Sequence, residues 1–278
     1  IRDVINNSKI DPNNIDSVGI TNQRETTVIW NKKTGKPVFN AIVWQDRRTA
    51  SFCDDLKKNN KTELIQNKTG LVIDAYFSGT KIKWILDSDP KIRSQANNGE
   101  LLFGTIDTWL IWNLTNGQSH ITDPSNASRT LLYNIKKDCW DDELLSLFDI
   151  PKNILPDVVD SSSISAHIDA KIFGAKIPIS GIAGDQQAAL FGQLCIDEGD
   201  IKNTYGTGCF CMMNTGKTFV KSNNKMLSTI AWRIDGELTY ALEGSVFVAG
   251  ALIQWLRDKL GIIKNASEVE NLANTVDN

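Results

Sequence analysis

Histidine is nearly absent: His120 and His167 are the only two in 278 residues. That scarcity leaves little for a histidine-rich metal centre or a Ser-His-Asp relay. Cysteine is sparse and odd in number, with Cys53, Cys139, Cys195, Cys209 and Cys211 and no Cys-x-x-Cys pair. A disulfide framework is therefore not indicated, and free thiols in a reducing cytoplasm are the simplest reading. Cys209 and Cys211 offer two sulfurs, but alternation along a strand puts both on one buried face, which favours packing over metal. No charge of one sign dominates, since 30 Lys and Arg oppose 33 Asp and Glu. Neither a nucleic acid nor an anionic membrane surface is implied as a partner. Apolar runs such as Ser245–Leu256 are broken by Gly and Gln, far short of the roughly 18 residues that insert into a membrane. The opening Ile1-Arg-Asp-Val-Ile5 has neither a Met nor a secretory pattern.

What is present is a chain too long for one ordinary core, which predicts two units, 1–195 and 196–278, with the boundary near Gln193–Gly199. Strands are expected at Ser17–Thr21, Thr26–Trp30, Val38–Trp44, Leu101–Phe103 and Ile177–Gly181. The turn cluster Asn31–Pro37 joins the second and third as a hairpin. Helices are expected at Arg47–Lys58, Ser78–Asp87, Thr105–Leu114, from Trp140 onward, and at Gln186–Leu194. Four strands in quick succession follow, within 202–205, 210–214, 227–232 and 238–243, and a long helix over Val246–Leu260 closes the series. This order indicates an α/β or α+β protein.

Five groups of residues are candidates for chemistry. In Gly181-Ile-Ala-Gly-Asp185-Gln-Gln187 a strand ends, two glycines permit a tight turn or close backbone approach, and an acid opens a helix. Asp185 is there either a helix cap or a reacting carboxylate at the C-terminal edge of a strand. Thr204-Tyr-Gly-Thr-Gly208 is either a plain glycine-rich hairpin or a backbone concavity for phosphate. It is no Walker loop, because Gly-Lys-Ser/Thr does not follow. Thr21-Asn-Gln-Arg-Glu25 is either a solvated loop or a set of donors and acceptors suited to a polyol, whose hydroxyls both give and take hydrogen bonds. Trp44, Tyr76 and Phe210 are core aromatics or a carbon-face platform. Gly250 and Gln254, four apart on one helix face, are helix packing or a nucleotide contact.

Together these runs resemble the glycerol kinases within the family of sugar and polyol kinases. The resemblance rests on Gly19-Ile-Thr-Asn-Gln-Arg-Glu-Thr26, Asn40-Ala-Ile-Val-Trp-Gln45, Tyr76-Phe-Ser-Gly-Thr-Lys81, Asn126-Ala-Ser-Arg-Thr130, Gly181–Gln193, Asn203–Phe210 and Tyr240-Ala-Leu-Glu-Gly244. It covers nearly the whole chain. It implies a ribonuclease-H-like, actin-like α/β fold of two lobes, and ATP-dependent phosphorylation of glycerol to glycerol 3-phosphate in glycerol catabolism. A kinase of another polyol or ketose, or a non-catalytic actin-like nucleotide-binding module, are the alternatives. By the resemblance, Arg24, Glu25, Tyr76, Asp185 and Gln186 hold glycerol hydroxyls, and Trp44 and Phe210 cover the carbon chain. Asp185 is the general base and the carboxylate nearest Mg2+. Gly206, Thr207 and Gly208 hold ATP phosphates, and Gly250 and Gln254 line the nucleotide site. A cytoplasmic homo-oligomer, dimer or tetramer, is implied.

Two departures accompany the resemblance. The family's first phosphate loop and a Mg2+-holding Asp are expected before Ile1, and its adenine-binding segment beyond Asn278. The 278 residues are therefore expected to be a fragment, inactive alone. The stretch Asp169-Ala-Lys-Ile-Phe-Gly-Ala-Lys176 is shorter than the Gly- and Arg-rich loop with which some bacterial members bind fructose 1,6-bisphosphate, and it has no Arg. Inhibition by that compound is expected to be weak or absent.

Overall fold

A computed structural model describes residues 2–276. Two sheets organise it. In the first, the strand Val18–Asn22 runs parallel to Pro178–Gly184, which pairs antiparallel with Ser162–His167. The second is antiparallel throughout, in the order 201–205, 209–214, 237–246, 227–234. The helix Asp185–Gly192 leaves the first sheet, and a short turn carries the chain to Ile201 in the second.

The first sheet is covered by an aliphatic layer that includes Ile20, Ile111, Ile168, Ile179 and Ile182. A larger core lies under the helices, where Ile82, Ile85 and Leu86 of Ser78–Asp87 meet Ile29, Phe103, Leu144 and Phe148. The three apolar residues fall on one face because helical side chains recur every 3.6 positions. Trp30 stands edge-on to Trp109 with ring centroids 5.0 Å apart, a favoured arrangement for the ring quadrupoles.

Three expectations need correction. Val38–Trp44 is not a strand. Only Val38 and Ile42 bond to the neighbouring chain, at Ile29 and Thr27. Pro37 faces Trp30 and has no N–H to extend a ladder, so that edge of the strand Val28–Asn31 carries only isolated bridges, while its other edge pairs with Leu101–Gly104. Secondly, there is no single helix over 246–260. The strand continues to Val246, opposite Cys209, and the helix starts at Gly250 and becomes a π-helical turn at Leu256–Leu260. Branched residues in Ser245-Val-Phe-Val248 suit extended backbone, and an open ladder position beside Cys209 lets the strand take Val246. Finally, no tight turn precedes Asp185. The strand Pro178–Gly184 passes directly into the helix, and neither Gly181 nor Gly184 has a positive φ.

Close approach explains Gly184 alone. A Cβ on Gly181 would lie 3.6 Å from the Cα of Gly19 on the paired strand, an ordinary contact. On Gly184 it would lie 2.7 Å from the side-chain carbons of Arg24, closer than real contacts allow. The segment 169–176 forms the short helix Ala170–Phe173, ended by Gly174 at φ +86°.

Candidate active site

The parallel pairing of Val18–Asn22 with Pro178–Gly184 sets Asn22 beside Gly184. The polar run that follows the first strand thus lies next to the acid that follows the second. A cavity of about 260 Å³ opens there, lined by Gln23, Arg24, Glu25, Trp44, Tyr76, Asp185, Gln186 and Phe210. All seven residues expected to meet a polyol face this one space, from five separate stretches of chain. It is smaller than the ~300–1,000 Å³ common for drug-sized ligands.

One wall is aromatic. Trp44 stands 5.6 Å from Tyr76 and 6.2 Å from Phe210, and Phe247 joins them at 5.9 Å from Trp44. Phe247 was not expected there, because the run around it reads as helix.

The opposite wall is charged, and its support is a buried ionic quartet. Arg24 donates to both oxygens of Glu243, at 2.5 and 3.1 Å, to Gln187 and to the Tyr76 hydroxyl. Arg129 donates to Glu25 at 2.7 Å and to Glu243 at 2.9 Å. All four charged side chains are at most 2% exposed. Burial opposes ionisation of Glu243, but Arg129 and Arg24 together override it and hold its carboxyl down at about 2. Glu25 has one close guanidinium, and Arg24 Nε is 3.8 Å away. For it burial wins, and its proton affinity is raised. Burial would lower Arg24, but Glu243, Tyr76 and Glu25 reverse that and hold it cationic.

Asp185 differs from these. It occupies the first helical position, with Gly184 as the N-cap, so it is not the cap that the sequence left open. Its carboxylate is 44% exposed, lies 3.4 Å from Arg24 Nε and accepts the Gln186 amide at 2.8 Å. Gln186 is held by Lys202, whose buried ammonium donates to Gln186 Oε1 at 2.5 Å and to Thr204 at 2.9 Å. Burial, then Arg24, depresses the Lys202 ammonium. Behind Asp185, the Gly184 amide bonds Ser125, which donates to the buried Asp123. Nearby, burial raises Asp107 to about 6, although Thr105 and Thr122 donate to it.

The expected nucleotide residues lie apart from the cavity. Gly206–Gly208 turns between the strands 201–205 and 209–214, with Thr207 exposed and Gly208 packed against Phe210. The amides of Thr207 and Gly208 have no main-chain partner among the described residues. Gly250 approaches this turn rather than open space. Its amide bonds the Gly206 carbonyl at 3.0 Å, and Ala249 bonds Thr207 at 2.8 Å. Gln254 is exposed one helical turn further along.

Arg129, Glu243, Gln187 and Lys202 were not singled out as site residues from sequence. Arg129 and Glu243 do fall inside the matching runs Asn126–Thr130 and Tyr240–Gly244, which was the available signal.

Comparison with known proteins places this geometry. Glycerol kinase of Alkaliphilus oremlandii is 61% identical over 278 residues, covering all of this chain and 55% of that protein. Glycerol kinase 2 of Thermotoga maritima is 60% identical over 272 residues, covering 98% and 55%. The chain spans about half the length of the curated relatives it matches. Among solved structures, Plasmodium falciparum glycerol kinase with ADP superposes with a TM-score of 0.91 at 38% identity, covering 100% of this chain and 56% of that one. Xylulose kinase of Lactobacillus acidophilus superposes with a TM-score of 0.83 at 22% identity, covering 99% and 55%, and so shares the fold. The fold is the ribonuclease-H-like, actin-like α/β architecture expected from the sequence. Residues 1–192 match the N-terminal domain of the FGGY carbohydrate kinases, and the chain belongs to that family.

Proposed function

We propose that this chain carries the polyol site of an ATP-dependent kinase that converts glycerol to glycerol 3-phosphate, with Asp185 as general base. The observation that carries the reading is the small cavity with an aromatic wall facing a wall of Arg24, Glu25, Asp185 and Gln186. A three-carbon polyol needs both: rings for its carbon face and paired donors and acceptors for its hydroxyls.

The bonding already made within the protein indicates what is left for substrate. Both terminal nitrogens of Arg24 are occupied, which leaves its Nε edge, near Asp185, as the free donor. Glu25 Oε1 is taken by Arg129, and Oε2 remains an acceptor. The Tyr76 hydroxyl accepts from Arg24, and burial raises its proton affinity, so its proton stays available for a ligand oxygen. Asp185 then accepts the proton of the terminal hydroxyl as that oxygen attacks phosphorus. Phosphoryl transfer has a loose transition state, so most of the work is positioning and charge neutralisation. A general base adds roughly 10²–10⁴-fold.

Thr207 and the free amides of the 206–208 turn are the proposed phosphate contacts, with Gly250 and Gln254 toward the nucleotide. No cluster of three or more His, Cys, Asp or Glu able to hold a resident metal exists among the described residues. The half-exposed Asp185 carboxylate at the cavity fits a Mg2+ carried on the nucleotide phosphates, which needs only one or two protein carboxylates. Asp185 is the carboxylate that would face it, and the ion would neutralise phosphate charge. The proposed lobes are 1–195 and 196–278, with the base on the first and the phosphate turn on the second. Closure between them would exclude water.

The test is Asp185→Asn in the full-length gene product, assayed with glycerol and with xylulose. Wild-type turnover of glycerol over xylulose, lost by ~10²-fold or more in the variant while glycerol still binds by calorimetry, is the expected result. Unchanged turnover in the variant removes Asp185 as base, and preference for xylulose removes glycerol as substrate.

A further inference from the structure

Lys81 lies on the helix Ser78–Asp87, outside the cavity lining, and is fully buried. It forms no ion pair among the described residues. Its ammonium donates instead to two main-chain carbonyls, that of Tyr76 at 2.5 Å and that of Glu25 at 3.4 Å. Both residues line the polyol cavity, one on each wall.

The Glu25 end of this bridge is strained. Glu25 has φ +61°, in the left-handed region, where a residue with a Cβ is destabilised by roughly 1–2 kcal/mol. Such a conformation persists only where surrounding contacts over-determine it. The Glu25 carbonyl is indeed held by three donors: Lys81, the Ser78 hydroxyl at 3.1 Å and the Thr27 hydroxyl at 3.2 Å. Of these, Lys81 alone is charged, and it alone also bonds the Tyr76 carbonyl.

We infer that Lys81 is a positioning residue, whose ammonium locks the left-handed turn at Glu25 to the Tyr76 loop and so fixes the two walls of the cavity at the spacing a small polyol needs. This rests on the reading of the cavity as a polyol site. The electrostatics give it a pH signature. Burial depresses the ammonium to about 8, against the pull of Glu25 on the turn, Asp46 and Asp74 on the flanking loops, and the Cys53 thiol on the helix Ala50–Lys58. Above that pH the lysine is a neutral amine, and hydrogen bonds to carbonyl oxygen lose their charge assistance. The grip on Glu25 weakens as pH rises.

The experiment compares wild type, Lys81→Met and Ser78→Ala in the full-length gene product from pH 6.5 to 9.5. The expected result for Lys81→Met is a rise of ~10-fold or more in glycerol KM, with ATP KM changed less than about 2-fold, as loss of a buried charged bond implies. Wild-type glycerol KM should climb above pH 8, and the climb should vanish in Lys81→Met. Ser78→Ala removes one donor from the same carbonyl and keeps the charge, so it should raise glycerol KM modestly and keep the alkaline climb. Should Lys81→Met fail to fold, the wild-type pH profile and Ser78→Ala decide the matter. A flat wild-type profile, or equal rises in both KM values, overturns the inference. A crystal structure of Lys81→Met adds a readout independent of substrate: Glu25 should leave positive φ, and an unchanged turn overturns the inference. Wild type that turns over another polyol but no glycerol would count against the substrate alone, and the same measurements on that polyol would still test Lys81.

Discussion

Replacing Glu243 by Gln removes one charge from a buried, neutral set of two arginines and two glutamates. Arg24 and Arg129 would then share Glu25 as their one buried carboxylate; Glu25 makes a close contact only with Arg129, and Arg24 keeps only the half-exposed Asp185 at 3.4 Å. Arg24 would be left as a cation with 2% of its side chain exposed. Breaking a buried pair from one side costs roughly 3–5 kcal/mol. The drop of the Glu243 carboxyl from 4.5 to about 2 corresponds to ~3 kcal/mol at 1.36 kcal/mol per tenfold change in proton affinity, in agreement. The sign follows from the depressed value: this stabilisation is present above pH 4.5 and is lost as pH falls toward 2. Urea unfolding at pH 7 should therefore show Glu243→Gln less stable by ~3–5 kcal/mol. Wild type should approach the variant as pH falls below 4.5. The double variant Glu243→Gln/Arg129→Met leaves one arginine with one glutamate, and it should recover part of the loss if charge imbalance is the cause. A single-variant cost below about 1 kcal/mol, the range of an exposed pair, would refute the buried-quartet reasoning. A double variant that simply sums its two losses would do the same.

Two further outcomes follow from local geometry. In Gly250→Ala the new Cβ would meet the Gly206 carbonyl oxygen at 2.5 Å. Relieving it at an overpacking cost of ~1–3 kcal/mol must move the 206–208 turn, so nucleotide KM should rise ~10-fold while glycerol KM stays put; steady-state kinetics with each substrate varied distinguishes this from general damage. Asp107 is raised from 3.8 to about 6 by burial, so its contribution is fully present below pH 3.8 and is lost as pH rises through 6. Relative to Asp107→Asn, wild type should lose ~2 kcal/mol of advantage between pH 4.5 and 7.5 in urea titrations, and a pH-independent difference would contradict the buried carboxyl.

The polar residues proposed to carry the chemistry were legible in the sequence because they sit in short polar runs at the ends of strands. Gln23-Arg-Glu25 follows one strand and Asp185-Gln186 follows another, and both runs lie where backbone leaves a sheet. Strand and helix signals were also clear wherever apolar periodicity was long, as in Ser78–Asp87, whose limits agree with the expectation. Legibility failed where a neighbour in space, not in sequence, set the outcome. Val38–Trp44 has strand composition, yet Pro37, which faces Trp30 without an N–H to donate, interrupts its ladder with Val28–Asn31. Val246 reads as helix, yet Cys209 offers it an open pairing position.

The sequence by itself marked Arg24, Glu25, Asp185 and Gln186 as polar residues just past the ends of two strands. Tertiary structure alone decided what holds those side chains in place. Glu243 lies 219 residues from Arg24, and in its own strand its immediate neighbours are Leu242 and Gly244. Lys81 reads as an ordinary helical lysine until Glu25, 56 residues away, brings a carbonyl over its ammonium. Charge in a sequence carries no label for the dielectric around it. Burial converts a surface glutamate into the clamp of two arginines, and a surface lysine into the brace of a strained turn.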